Sequence, residues 1–162
     1  MFGKCIGMAM IIFGLVVFPL SASMVSFLVV EEGLPQGSDS GEYSSLWEGG
    51  LMGAFFDTGH IVSNSPVMRV DKLSPDILPA EVKRDYTEAR SGGANYFLLA
   101  VLEFSLQDRK MKPYRIHIKI FTTDSENLIY ENRFPAGNGV NLQDEYTRAQ
   151  ETARTVAAQI KD

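Results

Sequence analysis

Cysteine and histidine are scarce in this chain, and their scarcity excludes several kinds of site. The 162 residues include one cysteine, Cys5, and two histidines, His60 and His117. A lone cysteine cannot form an intrachain disulfide or a thiolate metal site. Two histidines leave little material for a catalytic triad, and the sequence has no Gly-x-Ser-x-Gly elbow. The residues therefore indicate neither thiol chemistry nor serine hydrolysis.

Positive charge is also in short supply. The chain has 15 lysines and arginines against 20 aspartates and glutamates, a formal net charge of -5. Such a surface repels polyanions, so we expect no nucleic-acid partner. The loop at residues 33–41 has neither the Lys-Ser/Thr pair of a phosphate-binding loop nor the glycine spacing of a dinucleotide fingerprint. We therefore expect no nucleotide or other cofactor.

The N-terminal segment contains almost no charge. Lys4 provides a short positive start, an apolar stretch follows, and residues 21–23 are small, as a signal peptidase requires. This pattern predicts a signal peptide over residues 1–23 and a single α/β periplasmic domain over residues 24–162. The uncharged stretch continues to Val30, which is long enough to cross a bilayer, so an inner-membrane anchor is the alternative. We expect membrane contact only if that segment is retained.

The strongest structural pattern is an almost unbroken apolar run at residues 94–106. It follows Gly92 and Gly93, which end a helical pattern. Apolar side chains on both faces of the run are typical of a strand that is covered on both sides, which predicts the centre of a sheet. The apolar run at residues 24–30 predicts another buried strand at the start of the domain.

Helices are predicted from apolar stripes and from their capping residues. Ser45 and Glu48 have capping-box spacing, which predicts a helix that Gly59 ends. A second helix is predicted to start at Pro79, and Asn141 is expected to cap a final helix. The inner face of the first helix is predicted to carry Trp47, Leu51, Ala54, Phe55 and Thr58.

These elements predict a fold. Two short β-prone pieces flank Pro66, and at least one of them should be a strand. The predicted order is β-α-β-α-β-β-β-α, an α/β (α+β mixed) fold. The sheet should be mixed and flanked by helices, with right-handed crossovers first and an antiparallel C-terminal hairpin last.

The clearest local structure is the hairpin whose turn is predicted at residues 123–127. The strand before it carries isoleucines at three alternate positions, which is the pattern of a strand with one buried face. To keep that face apolar, the register must place Ile120 near Tyr130 and Lys119 near Glu131. A slip of one residue would put Ile120 opposite Glu131.

Four pieces of the sequence resemble a group of bacterial envelope domains. They are a first strand ending in E-E-G, then F-F-D-T-G-H-I-V-S-N, then A-R-S-G-G-A-N-Y-F-L-L-A-V-L, and the hairpin Y-R-I-H-I-K-I-F-T-T-D-S-E-N-L-I-Y-E. The chain resembles the fold shared by the N-terminal domain of the Tol-system translocation protein, lipoprotein activators of penicillin-binding proteins and periplasmic flagellar-assembly domains. The resemblance implies a non-enzymatic module that docks onto another envelope protein, and it supplies no catalytic residues.

The exposed face of the hairpin is the predicted binding surface. It combines basic and apolar side chains on an acidic protein, which suits an acidic partner or an anionic envelope polymer. The alternatives are a solvated sheet face with a Lys119–Glu131 pair, or a face covered by a helix. The sequence leaves the oligomeric state open. The predicted binding residues are Arg115, His117, Lys119, Phe121, Ile129 and Arg133.

A second candidate site belongs to a different functional class. Glu31 and Glu32 follow the first strand, where open α/β sheets place ligand crevices, and Asp71 follows a neighbouring strand. With His60 they form the set from which a ligand-binding or metal-binding protein, or a hydrolase, would be built. Adjacent glutamates on an extended segment point in opposite directions, so solvated loop carboxylates are the simpler interpretation.

Overall fold

The computed structural model describes residues 22–39, 42–137 and 142–160. Most of the predicted signal peptide lies outside these ranges, and no helix within them is long and apolar enough to cross a membrane. A short 3-10 turn at Ala80–Val82 leads into the second helix. The elements are β1 (Met24–Glu32), α1 (Tyr43–Asp57), β2 (Ile61–Asn64), β3 (Met68–Val70), α2 (Lys83–Ser91), β4 (Tyr96–Gln107), β5 (Lys110–Thr122), β6 (Leu128–Pro135) and α3 (Leu142–Ala157).

The six strands form one mixed sheet in the order β2-β1-β4-β5-β6, with β3 also pairing with β1. β1 is parallel to β2, β3 and β4, whereas β4, β5 and β6 form an antiparallel meander. The predicted α/β fold with a mixed sheet and a C-terminal hairpin is therefore confirmed. The apolar run of β4 lies at the centre, because both of its faces are covered.

Both β-prone pieces around Pro66 are strands. β2 pairs with the first half of β1 and β3 with its second half, so together they form one interrupted edge. The interruption falls at residues 65–67, because proline has no N–H to donate to a ladder. This edge is therefore irregular, and pairing with β1 resumes at β3 after the interruption.

β4 and β5 are joined by a tight turn. The turn consists of Asp108 and Arg109, which both have positive φ. Two consecutive left-handed residues are typical of a two-residue hairpin whose twist matches the strands. Pairing then begins at once, and the register shifts once, between Glu103 and Phe104, where Tyr114 is the extra residue on β5.

The two faces of the sheet are covered unequally. α1 and α3 pack side by side on one face, where they bury the isoleucines of β5. The nine-residue α2 packs on the other face against Phe97, Leu99 and Phe121. Because α2 is short, the remainder of that face is bordered by the loop at residues 73–79, and this is where the candidate site lies.

Some predicted details at the helix ends are wrong. α1 begins at Tyr43, and no side chain caps it, so Ser45 is not its N-cap. Glu48 instead accepts a hydrogen bond from the side chain of Asn64, at 2.8 Å. Thr58 is exposed beyond the helix, where its hydroxyl donates to the carbonyl of Phe55. The other predicted inner residues of α1 are buried, and Asn141 lies outside the described residues.

The contact between α1 and α3 depends on one glycine. A Cβ at Gly50 would lie 2.7 Å from the Cβ of Ala149, which is closer than real Cβ atoms approach. Beside this contact the indole N–H of Trp47 donates to Glu145 Oε1 at 2.6 Å, and both residues are buried. The helices therefore pack closely enough to exclude any side chain at position 50.

We expect Gly50→Ala to lower the free energy of unfolding by about 1–3 kcal/mol, because the added methyl group overpacks the helix contact. Gly53→Ala is the matched control in the same helix, since a Cβ there meets nothing within 4 Å. The control should raise the free energy of unfolding by up to about 1 kcal/mol through helix propensity. Urea unfolding of both variants measures the difference, and equal effects would contradict the close contact.

Candidate functional site

A groove of about 250 Å³ opens between the loop at residues 73–79 and the strands β5 and β6. We call it the hairpin groove. Its floor comes from β4, one wall from the loop and the other from the basic face of the hairpin. Its lining includes Glu32, Leu73, Ser74, Pro75, Asp76, Pro79, Leu99, Val101, Glu103, Arg115, His117, Lys119 and Arg133.

Strand alternation places four of the predicted binding residues in this groove. The isoleucines of β5 face α1 and α3, so the residues between them face the opposite side of the sheet. The register pairs Lys119 with Glu131 and Ile120 with Tyr130, as predicted, and it also pairs His117 with Arg133. The hairpin register is therefore confirmed, and it brings Arg115, His117, Lys119 and Arg133 together.

Arg115 is held by a carboxylate from the floor of the groove. Its Nε donates to Glu103 Oε1 at 3.0 Å, and its second terminal nitrogen bonds to Oε2. The hydroxyl of Tyr114 donates to the same Oε2 at 2.7 Å. Burial would raise the pKa of Glu103, but the hydrogen bonds from Arg115 and Tyr114 outweigh it and hold the pKa below its usual value. The pair is therefore ionised at neutral pH.

His117 is bonded rather than free in solvent. Its Nε2 lies 2.7 Å from Glu131 Oε1, and only 12% of its side chain is exposed. Burial lowers the pKa of His117 below its usual value, and the hydrogen bond to Glu131 offsets this only in part. Arg133 and Lys119 lower it further through their positive charge. The imidazole is therefore mostly neutral at pH 7.

The remaining predicted residues differ in exposure. The ammonium group of Lys119 donates to the carbonyl oxygen of Ile77 at 2.8 Å, which ties β5 to the loop. Arg133 is exposed, and Ile129 is 45% exposed. Phe121 was expected at the exposed tip, but it is fully buried and meets the Tyr86 ring edge-on at 6.5 Å between centroids. Strand alternation places Phe121 on the same face as Lys119, and α2 covers that end of the face.

The hairpin groove is consequently less basic than the sequence indicated. Arg115 is balanced by Glu103 and His117 by Glu131. In place of the Lys119–Glu131 pair of the alternative interpretation, Glu131 bonds to His117 and Lys119 bonds to the carbonyl of Ile77. Lys119 and Arg133 carry positive charge at the rim. The floor of the groove therefore combines two apolar side chains with one ion-paired carboxylate, and cationic groups lie at its edge.

The second candidate site is not assembled. Glu31 points toward α1, where it accepts a hydrogen bond from the Ser44 hydroxyl and forms an ion pair with Arg69 at 2.7 Å. Glu32 points to the opposite face and accepts from the backbone N–H of Leu73 at 2.9 Å. The two carboxylates therefore serve different sides of the sheet, as the alternation of a strand requires.

His60 lies at the far end of the sheet from these carboxylates. It precedes β2, whose first residue pairs with Met24, so its level lies eight strand residues from Glu31. At 3.3 Å per residue this is about 26 Å. Asp71 is exposed beyond β3. Among the described residues no three metal-ligating side chains come together, so the geometry contradicts a shared site.

Sequence reasoning missed two parts of the hairpin groove. Glu103 is a lone acidic residue in an apolar strand, on the same face as Leu99 and Val101, and this was the available signal for a buried ion pair. The loop at residues 73–79 has no periodicity, so its place against the hairpin could not be inferred. Both parts depend on contacts between residues that are distant in sequence.

No protein-family model matches this sequence, and no curated protein matches it. Solved structures are similar in fold. A PelC dodecamer from Paraburkholderia phytofirmans has a TM-score of 0.52 and 10% identity, over 86% of this chain and 88% of that chain. Lipoprotein GNA1162 from Neisseria meningitidis has a TM-score of 0.44 and 8% identity, over 84% and 99%. TolB from Acinetobacter baumannii has a TM-score of 0.38 and 10% identity, over 85% and 27%.

These likenesses concern the fold alone, because the identities are low. Within that limit, the resemblance to bacterial envelope-associated α/β domains that the sequence indicated is confirmed. The likeness rests on the PelC structure, whose TM-score is 0.52 over most of both chains.

We expect the pKa of His117, measured by NMR titration of its ring protons, to lie below the usual value of about 6.5. Glu131→Gln should lower it further, because the carboxylate stabilises the imidazolium. As the pH falls, His117 takes up its proton in the unfolded chain before it does so in the folded chain. The free energy of unfolding should therefore decrease as the pH falls from about 6.5 through the folded-state pKa of His117. His117→Gln identifies the resonance and should remove this pH dependence. A pKa above the usual value would contradict the burial of the ring.

Proposed function

We propose that this chain is a non-enzymatic module of the bacterial cell envelope that binds another envelope protein through the hairpin groove. The observation that supports this most directly is the groove itself. It is open along one side, and strand register brings the side chains of both hairpin strands to it. An acidic segment of the partner would lie between the loop and β6.

The charge arrangement supports binding rather than bond-making. The ionised Glu103–Arg115 pair and the His117–Glu131 contact fix the floor and one wall, so these groups are occupied with one another. At the rim, Lys119 can exchange the carbonyl of Ile77 for a carboxylate of the partner. Ile77 is 65% exposed and adds apolar contact at the same edge.

The fold supports the proposed location and an assembly role. The chain shares its fold with bacterial envelope-associated proteins, which is compatible with export. PelC forms a dodecamer, which favours an assembly role for the fold in this chain as well. We propose that residues 1–23 direct export to the periplasm, with retention of the segment as an inner-membrane anchor as the alternative.

We expect Lys119→Glu to abolish recovery of the partner when the full-length tagged chain is expressed and purified from cross-linked envelope extracts. The reversed charge repels acidic groups at the rim of the groove and breaks the contact with Ile77. Lys83→Glu is the matched control, because it makes the same change in charge at an exposed position on α2. If the two variants recover identical proteins, the groove is not the binding surface.

A further inference from the structure

β6 is an exposed edge of the sheet. It pairs with β5 on one side, and no strand among the described residues pairs with its other side. Five of its eight residues are exposed, including the consecutive Glu131, Asn132 and Arg133. Long open edges usually either pair with another strand or carry features that prevent pairing.

The direction of the backbone groups on β6 follows from one hydrogen bond. The N–H of Ala136 donates to the carbonyl of Tyr114 at 3.1 Å, on the β5 side. In an antiparallel pair these bonds alternate along the strand, so the even-numbered residues of β6 face β5. The N–H and C=O groups of Glu131 and Arg133 therefore face outward. Pro135 also falls on the outer side, where its missing N–H costs β5 no hydrogen bond.

A second copy of β6 is charge-complementary to this edge in one central register. Outward-facing residues must pair with outward-facing residues, so the two-fold axis can pass through Glu131, Asn132 or Arg133. The first choice opposes two glutamates and the last opposes two arginines. The axis through Asn132 opposes Glu131 of each copy with Arg133 of the other, and opposite charges across strands are favourable.

The other face of the strand fits the same register. With the axis at Asn132, Tyr130 of each copy lies opposite Phe134 of the other. Both side chains are partly buried and pack at the margin of the core on the face covered by α1 and α3. Aromatic pairs across strands are stabilising, so the side chains on both faces of β6 favour the same register.

We propose that two copies of this chain pair antiparallel through β6, in the register that places Asn132 on the two-fold axis. The two six-stranded sheets then form one continuous sheet. Because the axis is perpendicular to the sheet, both hairpin grooves lie on the same face. This contact uses the backbone edge and does not require a partner in the hairpin groove, so it stands apart from the proposed function.

The edge also has features that protect a monomer. The N–H of Arg133 is occupied by Asn132 Oδ1 at 2.8 Å, and that side chain must rotate before the strands pair. Glu131 uses Oε1 for His117, and a carboxylate accepts a further bond on its other oxygen. A single charge would suffice for protection. Two opposite charges spaced two residues apart are instead complementary to a second copy of the strand. The dimer is expected to be weak, because a single strand contact buries little surface.

Charge reversal tests the register. Sedimentation equilibrium of the exported protein, over concentrations up to about 1 mM, should detect the dimer. Glu131→Arg and Arg133→Glu should each raise the dissociation constant about tenfold or more, because each opposes like charges twice. The double variant should regain the dimer, and a mixture of the two single variants should form a heterodimer. A monomer throughout, or a dimer indifferent to these changes, would overturn the proposal.

Cross-linking tests the position of the axis without changing charge. Residues opposed in a non-hydrogen-bonded pair have Cα atoms about 4.5 Å apart, which a disulfide can bridge. In a Cys5→Ser background, Asn132→Cys should therefore form a disulfide-linked dimer on oxidation. Ser125→Cys, at an exposed turn, is the control. Equal cross-linking at both positions would overturn the assigned register. This test does not depend on whether a partner is recovered from envelope extracts.

Discussion

The structure depends on the burial of both faces of β4, by helices of different length. One face meets α1 and α3, which are long enough to cover the strands they cross. The other meets the nine-residue α2, which covers only part of its face. The chain completes the second face with polar pairs and a loop instead of a helix. The hairpin groove is therefore a consequence of how the sheet is covered.

This asymmetry explains the composition of β5. Its isoleucines meet a complete helical layer, so that face must be apolar throughout. Its other face changes character along its length, from the buried Phe121 beneath α2 to the ion-paired Arg115 beside the groove. Charged groups are tolerated there because Glu103 and Glu131 provide partners at hydrogen-bond distance, and an unpaired charge at such depth would cost far more.

Local patterns predicted the parts of the fold that rest on periodicity. The alternation of β5 predicted both the hairpin and its register, and the apolar run of β4 predicted the centre of the sheet. Four binding residues were placed on one face by the same rule. The failures share a cause, since each depends on contacts between segments distant in sequence. Helix α2 buries Phe121, Glu48 accepts a hydrogen bond from Asn64 instead of capping α1, and the β4–β5 register pairs Glu103 with Arg115.

Arg133 belongs to both proposed surfaces, the hairpin groove and the edge of the sheet. Its side chain lines the hairpin groove, while its backbone faces outward on β6. A partner that binds the guanidinium of Arg133 in the groove removes it from the charge pair with Glu131 across the two-fold axis. Pairing of two copies, in turn, removes the guanidinium from the groove. By linkage, each event must then weaken the other by the same factor. If one partner molecule binds both grooves of a dimer, its additional contacts strengthen binding and oppose this weakening. The sign of the coupling between partner binding and dimerisation therefore reports whether one partner molecule spans two copies.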